Sequence, residues 1–307
     1  MEYLPGHLKN LATWIDLAEQ VVVVDSFSTD GTVEFLKTNL HHPNILFVNH
    51  PPGLFASWNY GINRIASEFC YISTVGDSIT RAGLEHFAGT VSQLDCDVLV
   101  SRPNFVDEAG QPCVGPEWPM DFIIARLDLR VPALLAPAVV LTTAFLHTGG
   151  AILGSCASDI FRMVVLKKYP FPLDFGTAGD GAWSLQNAGR INWAATPEKV
   201  TTFRIHPPTA SADEVESGKN FGQMAAHAAS EWLKSNSANV SSETHESISR
   251  LMVLSTEYQE SCRRYTSLRK GKWPWILNPS AWIARSQREQ LKARVNSLTQ
   301  MFYRRSL

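Results

Sequence analysis

Val21-Val22-Val23-Val24-Asp25-Ser26-Phe27-Ser28-Thr29-Asp30-Gly31-Thr32 is the stretch on which the fold turns. Four consecutive β-branched residues without polar alternation fit a strand covered on both faces, as in a parallel sheet. The polar run after them is rich in helix-capping residues, so a turn is expected to lead into a helix over 33–40. Upstream, Leu4, Leu8, Leu11 and Ile15 recur at helical spacing and predict a helix over 4–18. Downstream, Ile45–Val48 reads as a second strand, 57–66 as a helix, 69–74 as a third strand ending at Val75-Gly76-Asp77, 83–94 as a helix and 97–101 as a strand. Strand and helix alternating with short links predict an α/β fold, with a Rossmann-type, mostly parallel sheet flanked by helices. Past Ser211 the strand signals stop. Leu291, Val295, Leu298 and Phe302 then recur at helical intervals, so a domain over 1–210 is expected to carry a helical C-terminal region over 211–307.

The composition suits a folded, soluble-type chain. Of 307 residues, 45% are apolar and 18% charged, with a formal net charge of -2, which argues against a nucleic-acid binder by charge. The five cysteines (Cys70, Cys96, Cys113, Cys156, Cys262) show no metal-ligand spacing, which suggests reduced thiols and a cytoplasmic setting. No basic segment followed by an apolar run opens the sequence, so no signal peptide is expected. The apolar stretch 131–157 is interrupted by prolines and glycines and reads as core or pocket wall rather than a membrane span. Charge is uneven: from Cys262 onward there are 11 Lys and Arg against one acid, Glu289. This basic tail contains Lys270-Gly271-Lys272-Trp273-Pro274-Trp275, a pattern compatible with a peripheral membrane contact, a self-association surface or a solvated helical cap.

Ligands of open α/β sheets bind at the carboxyl ends of strands, where Asp25 and Asp77 fall. A carboxylate there can bond a nucleoside or hold a divalent cation on a diphosphate, and Asp25 can equally well only cap the next helix.

Taken in order, several segments resemble family 2 glycosyltransferases, which have the GT-A fold. Val24-Asp25-Ser26-Phe27-Ser28-Thr29-Asp30-Gly31-Thr32 resembles their nucleotide-binding Val-Asp-Asp-Gly-Ser-Thr-Asp-Gly-Thr segment. Gly53-Leu54 and Asn59-x-Gly61 look like the Gly-x-x-x-Ala-Arg-Asn-x-Gly helix, and Asp77 falls where the Asp-x-Asp motif ends. Gly179-Asp180-Gly181-Ala182-Trp183 is similar to the Glu-Asp motif that supplies the base, and Phe203-Arg204-x-His206 to the motif closing the domain. The resemblance spans roughly residues 3–210. It departs from the pattern in four places: the family's first strand, ending in Pro-x-x-Asn, is missing ahead of helix 4–18; Ser26 replaces the second Asp; Asp-x-Asp is reduced to Val75-Gly76-Asp77; and Gly179 replaces the Glu. A gap in the sheet beside strand 21–25 is the expected consequence.

The resemblance implies transfer of a sugar from a nucleotide donor to a hydroxyl of a saccharide or other acceptor, inverting and assisted by Mg²⁺ or Mn²⁺. It implies donor contacts from Asp25, Ser26, Asp30, Asn59, Asp77 and Arg204, metal contacts from Asp77 and His206, Asp180 as the base, and Trp183 against the acceptor. The missing strand and thinned motif equally suit an inactive scaffold that keeps the fold. A nucleotidyltransferase would need a Gly-rich basic loop near the start, which the sequence lacks.

Overall fold

The computed structural model describes residues 3–116, 118–146, 152–153, 155–176, 179–205, 221–236, 241–269 and 279–305. Three sheets carry the described strands. The first pairs β1 (Val21–Asp25) with β2 (Ile45–Asn49) in parallel, from Val21 against Ile45 to Asp25 against Asn49. The second has the order β3-β8-β5-β9-β7, built from β3 (Phe69–Tyr71), β5 (Val98–Val100), β7 (Ala133–Leu134), β8 (Asp159–Arg162) and β9 (Trp193–Ala195). The third has the order β4-β10-β6, from β4 (Ser78–Ile79), β6 (Asn104–Val106) and β10 (Thr201–Arg204). Around them pack α1 (Leu4–Leu11), α2 (Thr32–Asn39), α3 (Leu54–Ile62), α4 (Arg81–Leu94), α5 (Pro119–Leu127), α6 (Pro137–Leu146), α7 (Met163–Lys168) and α8 (Gly179–Asn187). Three helices end the chain: α9 (Phe221–Ser235), α10 (Ser242–Arg269) and α11 (Pro279–Arg305).

The α/β class with sheets flanked by helices is as expected. The pairing is more mixed than the sequence pattern implied. β1/β2, β5/β9 and β6/β10 are parallel, whereas β3/β8, β5/β8, β7/β9 and β4/β10 are antiparallel. β8 enters between β3 and β5 against their direction, so that strand, too short to show a period, reverses the run of the sheet's centre. Expected helix 4–18 stops at Leu11, because Asn10 turns its side chain on its neighbours: Trp14 Nε1 donates to Asn10 Oδ1 at 3.2 Å and Asn10 Nδ2 donates to Ile79 O at 2.8 Å.

Side chains alternate between two apolar layers along each strand. Leu99 and Ile160 face one layer, with Leu8, Trp14, Leu36 and Phe87. Val98, Val100 and Phe161 face the other, with Phe55, Trp183 and Trp193. That second layer also takes in Ile248, Leu251 and Val295, so the C-terminal helices complete the same core. The apolar stretch around 131–157 supplies buried Val139, Val140 and Leu141 of α6. Among the described residues no helix is long and apolar enough to cross a membrane.

The expected gap beside strand 21–25 is present as an unpaired edge. Val21 N donates to Asn44 O at 3.1 Å and His50 N to Asp25 O at 2.9 Å, so Val21, Val23 and Asp25 bond to β2. Val22 and Val24 therefore turn their backbone groups to the other edge, and no strand pairs with it among the described residues. β3 also ends its sheet. Gln20 ties the starts of the two strands: its amide donates to Arg64 O at 3.0 Å and accepts from Ala66 N at 3.1 Å. A seam between β1 and β3 explains why the four valines are only half-buried, although their pattern suits full burial. A short Val/Ile-rich strand fused ahead of Met1 should raise the melting temperature and slow hydrogen exchange at Val22 and Val24. Unchanged melting and exchange would show that the seam does not accept a strand.

Candidate functional site

The strand β1 ends in a turn closed by Asp25 itself, whose Oδ2 accepts Ser28 N at 2.9 Å. Asp25 is buried while Ser26, Phe27 and Ser28 are exposed. The turn requires Phe27 at φ 60°, in the left-handed region, where a bulky residue is strained. The resembling motif has Gly at that place, so an exposed ring is held where the backbone favours glycine. Sequence reasoning passed over Phe27; its departure from the Gly of the motif was the available signal. Asp30 is solvent-exposed and acts as a local cap. Its Oδ1 accepts from Thr32 Oγ1 at 2.6 Å and Thr32 N at 3.2 Å, and the Thr32 hydroxyl bond holds its carboxyl below the usual range.

Asp77 lies in the turn between β3 and β4, following Gly76 at φ 104°. Its Oδ2 accepts Thr74 Oγ1 at 2.8 Å and Ser155 Oγ at 3.4 Å, and its Oδ1 accepts Arg204 N at 3.1 Å. Its backbone oxygen lies 3.3 Å from His7 Nδ1, and burial pushes His7 down towards the neutral ring. Arg204 therefore reaches Asp77 through its backbone. Its guanidinium turns away to Asp107 O at 3.0 Å and Glu108 O at 2.6 Å and stacks over Tyr3 at 5.0 Å. Arg204 thus fixes Asp77 and the 107–110 turn. His206 lies outside the described residues.

Asp180 sits half-buried in the first turn of α8, its Oδ1 accepting Gly181 N at 2.7 Å. Burial pushes its carboxyl up to about 6, against the opposing Gly181 amide. A carboxyl titrating near 6 is ionised at neutral pH yet still basic enough to take a hydroxyl proton. Gly179 precedes it because nothing larger fits: a Cβ there would lie 2.4 Å from Phe55 Cδ2.

Two expectations are corrected by the geometry. Trp183 cannot stack on an acceptor, being 0% exposed between Phe161, Phe171 and Trp193, with its Nε1 donating to Tyr169 O at 2.6 Å. Nearly every residue of α8 after Asp180 is buried, so the Trp183 ring packs into the core instead of facing an acceptor. Asn59, expected at the donor, has both ends of its amide engaged: Nδ2 donates to Phe171 O at 2.8 Å and Oδ1 accepts Phe171 N at 2.9 Å. It clips α3 to the segment leading towards Asp180.

One further acid is fully buried. Asp159, at the start of β8, is 0% exposed, and neither carboxyl oxygen accepts a hydrogen bond of normal geometry. The Ser101 N–H beside it donates to Ser158 O at 3.1 Å. Desolvation, and then the charge of Asp180, push Asp159 well above the usual carboxylate range. Because folding raises this pKa, the native state is favoured fully below about pH 3.9, the ordinary carboxyl value, and loses that advantage as pH rises through the folded value. Asp159→Asn should therefore gain melting temperature relative to the wild type as pH goes from 4 to 9. A difference that stays constant with pH would show that Asp159 does not titrate from a buried neutral form.

A divalent cation needs several oxygen ligands, and among the described residues no group of three His, Cys, Asp or Glu side chains converges. Asp77 alone, with two oxygens that already accept hydrogen bonds, fits one ligand of an ion whose remaining ligands come from a bound diphosphate.

Among solved structures, S. aureus TarS 1-349 in complex with UDP-GlcNAc matches with a TM-score of 0.57 at 16% identity, covering 99% of this chain and 88% of that one. Its complex with UDP matches with a TM-score of 0.52 at 16% identity, covering 100% and 88%. The longer S. aureus TarS structure matches at 0.51 with 17% identity, covering 96% of this chain and 52% of that one. The chain has a GT-A-like fold. No family model and no curated protein matches it, and at such low identity the likeness speaks for the fold alone.

Proposed function

We propose that the protein is a glycosyltransferase that moves a sugar from a nucleoside diphosphate donor to a hydroxyl acceptor with inversion. The observation that carries this reading is the set of Asp25 at the end of β1, Asp77 in the turn before β4, and a separate carboxyl, Asp180, raised to about 6 by burial. The solved structures with this fold were obtained with UDP and UDP-GlcNAc, which supports a uridine diphosphate sugar as the first donor to test.

In this reading Asp25, beside exposed Ser26, holds the nucleoside. Asp77 lies at the diphosphate, fixed by Thr74, Ser155 and the Arg204 backbone. Asp180 accepts the acceptor hydroxyl's proton as the oxygen attacks the anomeric carbon, and the carbon–phosphate oxygen bond breaks on the opposite side. Asp30 and Arg204 organise the loops around the donor rather than touch it. Asp77 would hold Mg²⁺ or Mn²⁺ together with the donor diphosphate, and the ion would supply charge neutralisation to the leaving group.

Calorimetry and a UDP-release assay test the reading together. Mn²⁺ alone should bind weakly, Mn²⁺ with UDP much more tightly, and UDP-sugar should be turned over when acceptor is present. Tight Mn²⁺ binding without nucleotide would contradict the single-carboxylate site. UDP binding without release of UDP from any donor would favour a scaffold that keeps the fold without turnover.

A further inference from the structure

Helix α1 carries two polar side chains, three residues apart on one face, that both reach the segment around Asp77. His7 is only 8% exposed. Its Nδ1 lies 3.3 Å from the backbone oxygen of Asp77 and its Nε2 3.4 Å from Ser73 Oγ. Further along the helix, Asn10 donates to Ile79 O at 2.8 Å and accepts from Ile79 N at 3.3 Å, which seats α1 against β4. The sugar-transfer reading uses neither side chain.

A carbonyl oxygen can only accept, so the proton of the ring belongs on Nδ1, and Nε2 then accepts from the Ser73 hydroxyl. Burial favours the neutral ring that this arrangement needs. The two bonds grip one turn from outside. Ser73 stands just before it, and Asp77 closes it by donating its backbone N–H to Thr74 O at 3.2 Å. Within the turn Gly76, at φ 104°, gives the peptide ahead of Asp77 a freedom that other residues lack. The direction in which the Asp77 side chain leaves the backbone therefore depends on the peptide that follows it, and His7 holds the oxygen of that peptide.

We propose that His7 is a positioning residue: by bridging Ser73 and the backbone of Asp77, it aims the Asp77 carboxyl at the ion that accompanies the donor diphosphate. The role rests on the sugar-transfer reading, in which Asp77 lies at the diphosphate.

Calorimetry of Mn²⁺ binding to the full chain, with and without UDP, tests it. His7→Phe keeps a ring and removes both nitrogens. It should lower the affinity for Mn²⁺ in the presence of UDP about tenfold, the scale of losing a group that orients a metal ligand. Binding of UDP without metal should change little. His7→Asn places an amide nitrogen near the position of Nδ1 and should recover most of the loss. Ser73→Ala, at an exposed position where substitution is tolerated, should give a smaller loss in the same quantity. Leu8→Ala loosens the same helix from its core without touching the turn, so it should lower the melting temperature and leave Mn²⁺ binding intact. Unchanged Mn²⁺ binding in His7→Phe and Ser73→Ala overturns the proposal. So does an equal loss in Leu8→Ala, and so does a His7→Phe loss that is the same for UDP with and without Mn²⁺. A wild type that binds no Mn²⁺ in the presence of UDP removes the sugar-transfer reading itself, and this role of His7 with it.

Discussion

Asp180→Asn should reduce transfer to acceptor by about a hundredfold or more, the scale of losing a general base. The substitution keeps the shape and the bond from Gly181 N but removes the basicity. Affinity for the nucleotide should change little. Asp25→Ala should show the reverse, weakening nucleotide binding first. The wild type carries a further signature. With its carboxyl raised to about 6 by burial, Asp180 is protonated and idle below that pH and ionised above it, so turnover should rise through about pH 6. That acid limb should be missing from whatever activity Asp180→Asn retains. A variant with near-normal transfer and an unchanged pH profile would remove Asp180 from the mechanism. Asp174, exposed five residues ahead of α8, and Asp159 would then be the next carboxyls to substitute.

Gly179→Glu restores the residue that the resembling motif carries, and it should harm the protein. A Cβ at Gly179 meets Phe55 Cδ2 at 2.4 Å and Cε2 at 2.5 Å. Phe55 is itself wedged against Trp58 and Phe171, at 5.0 Å and 5.6 Å between ring centroids, so the ring has little room to retreat. Overpacking of this kind costs on the order of 2 kcal/mol or more, and a carboxylate forced among aromatic rings adds to it. The melting temperature should fall by several degrees, on the order expected for that loss in a chain of this size. Activity should fall too, since the start of α8 must move with Asp180 on it. Phe55→Leu should reduce the penalty of Gly179→Ala, because the space occupied by the ring is what opposes the Cβ. Equal penalties in both backgrounds would place the constraint elsewhere.

Much of the front half was legible from local pattern. The valine run, the capping residues after it and the alternation of strand with helix place β1, α2, β2, α3, β3, α4 and β5 close to where the structure has them, because the helices and β1 and β2 show their own pattern and the short apolar runs at β3 and β5 fall between them. The helical C-terminal part was visible in the spacing of Leu291, Val295 and Leu298, which do face the core.

Other features exist only once the chain is folded. β8 to β10 have three or four residues each and too few positions to show alternation; they are strands because Val98–Val100 and the neighbouring edges supply hydrogen-bond partners. Trp183 and Asn59 looked like ligand contacts in the linear motif, yet the burial of α8 takes the first into the core and Phe171 claims the second. Asp159 reads as one more acid in a polar turn. Only tertiary burial, with Asp180 nearby, pushes its carboxyl well above the usual range. Sequence thus determined which residue types lie at the strand ends, because short-range periodicity and turn chemistry are encoded locally. Tertiary structure decided which of them keep a free face and which protonation state they hold, because burial and charge proximity depend on segments distant in the chain.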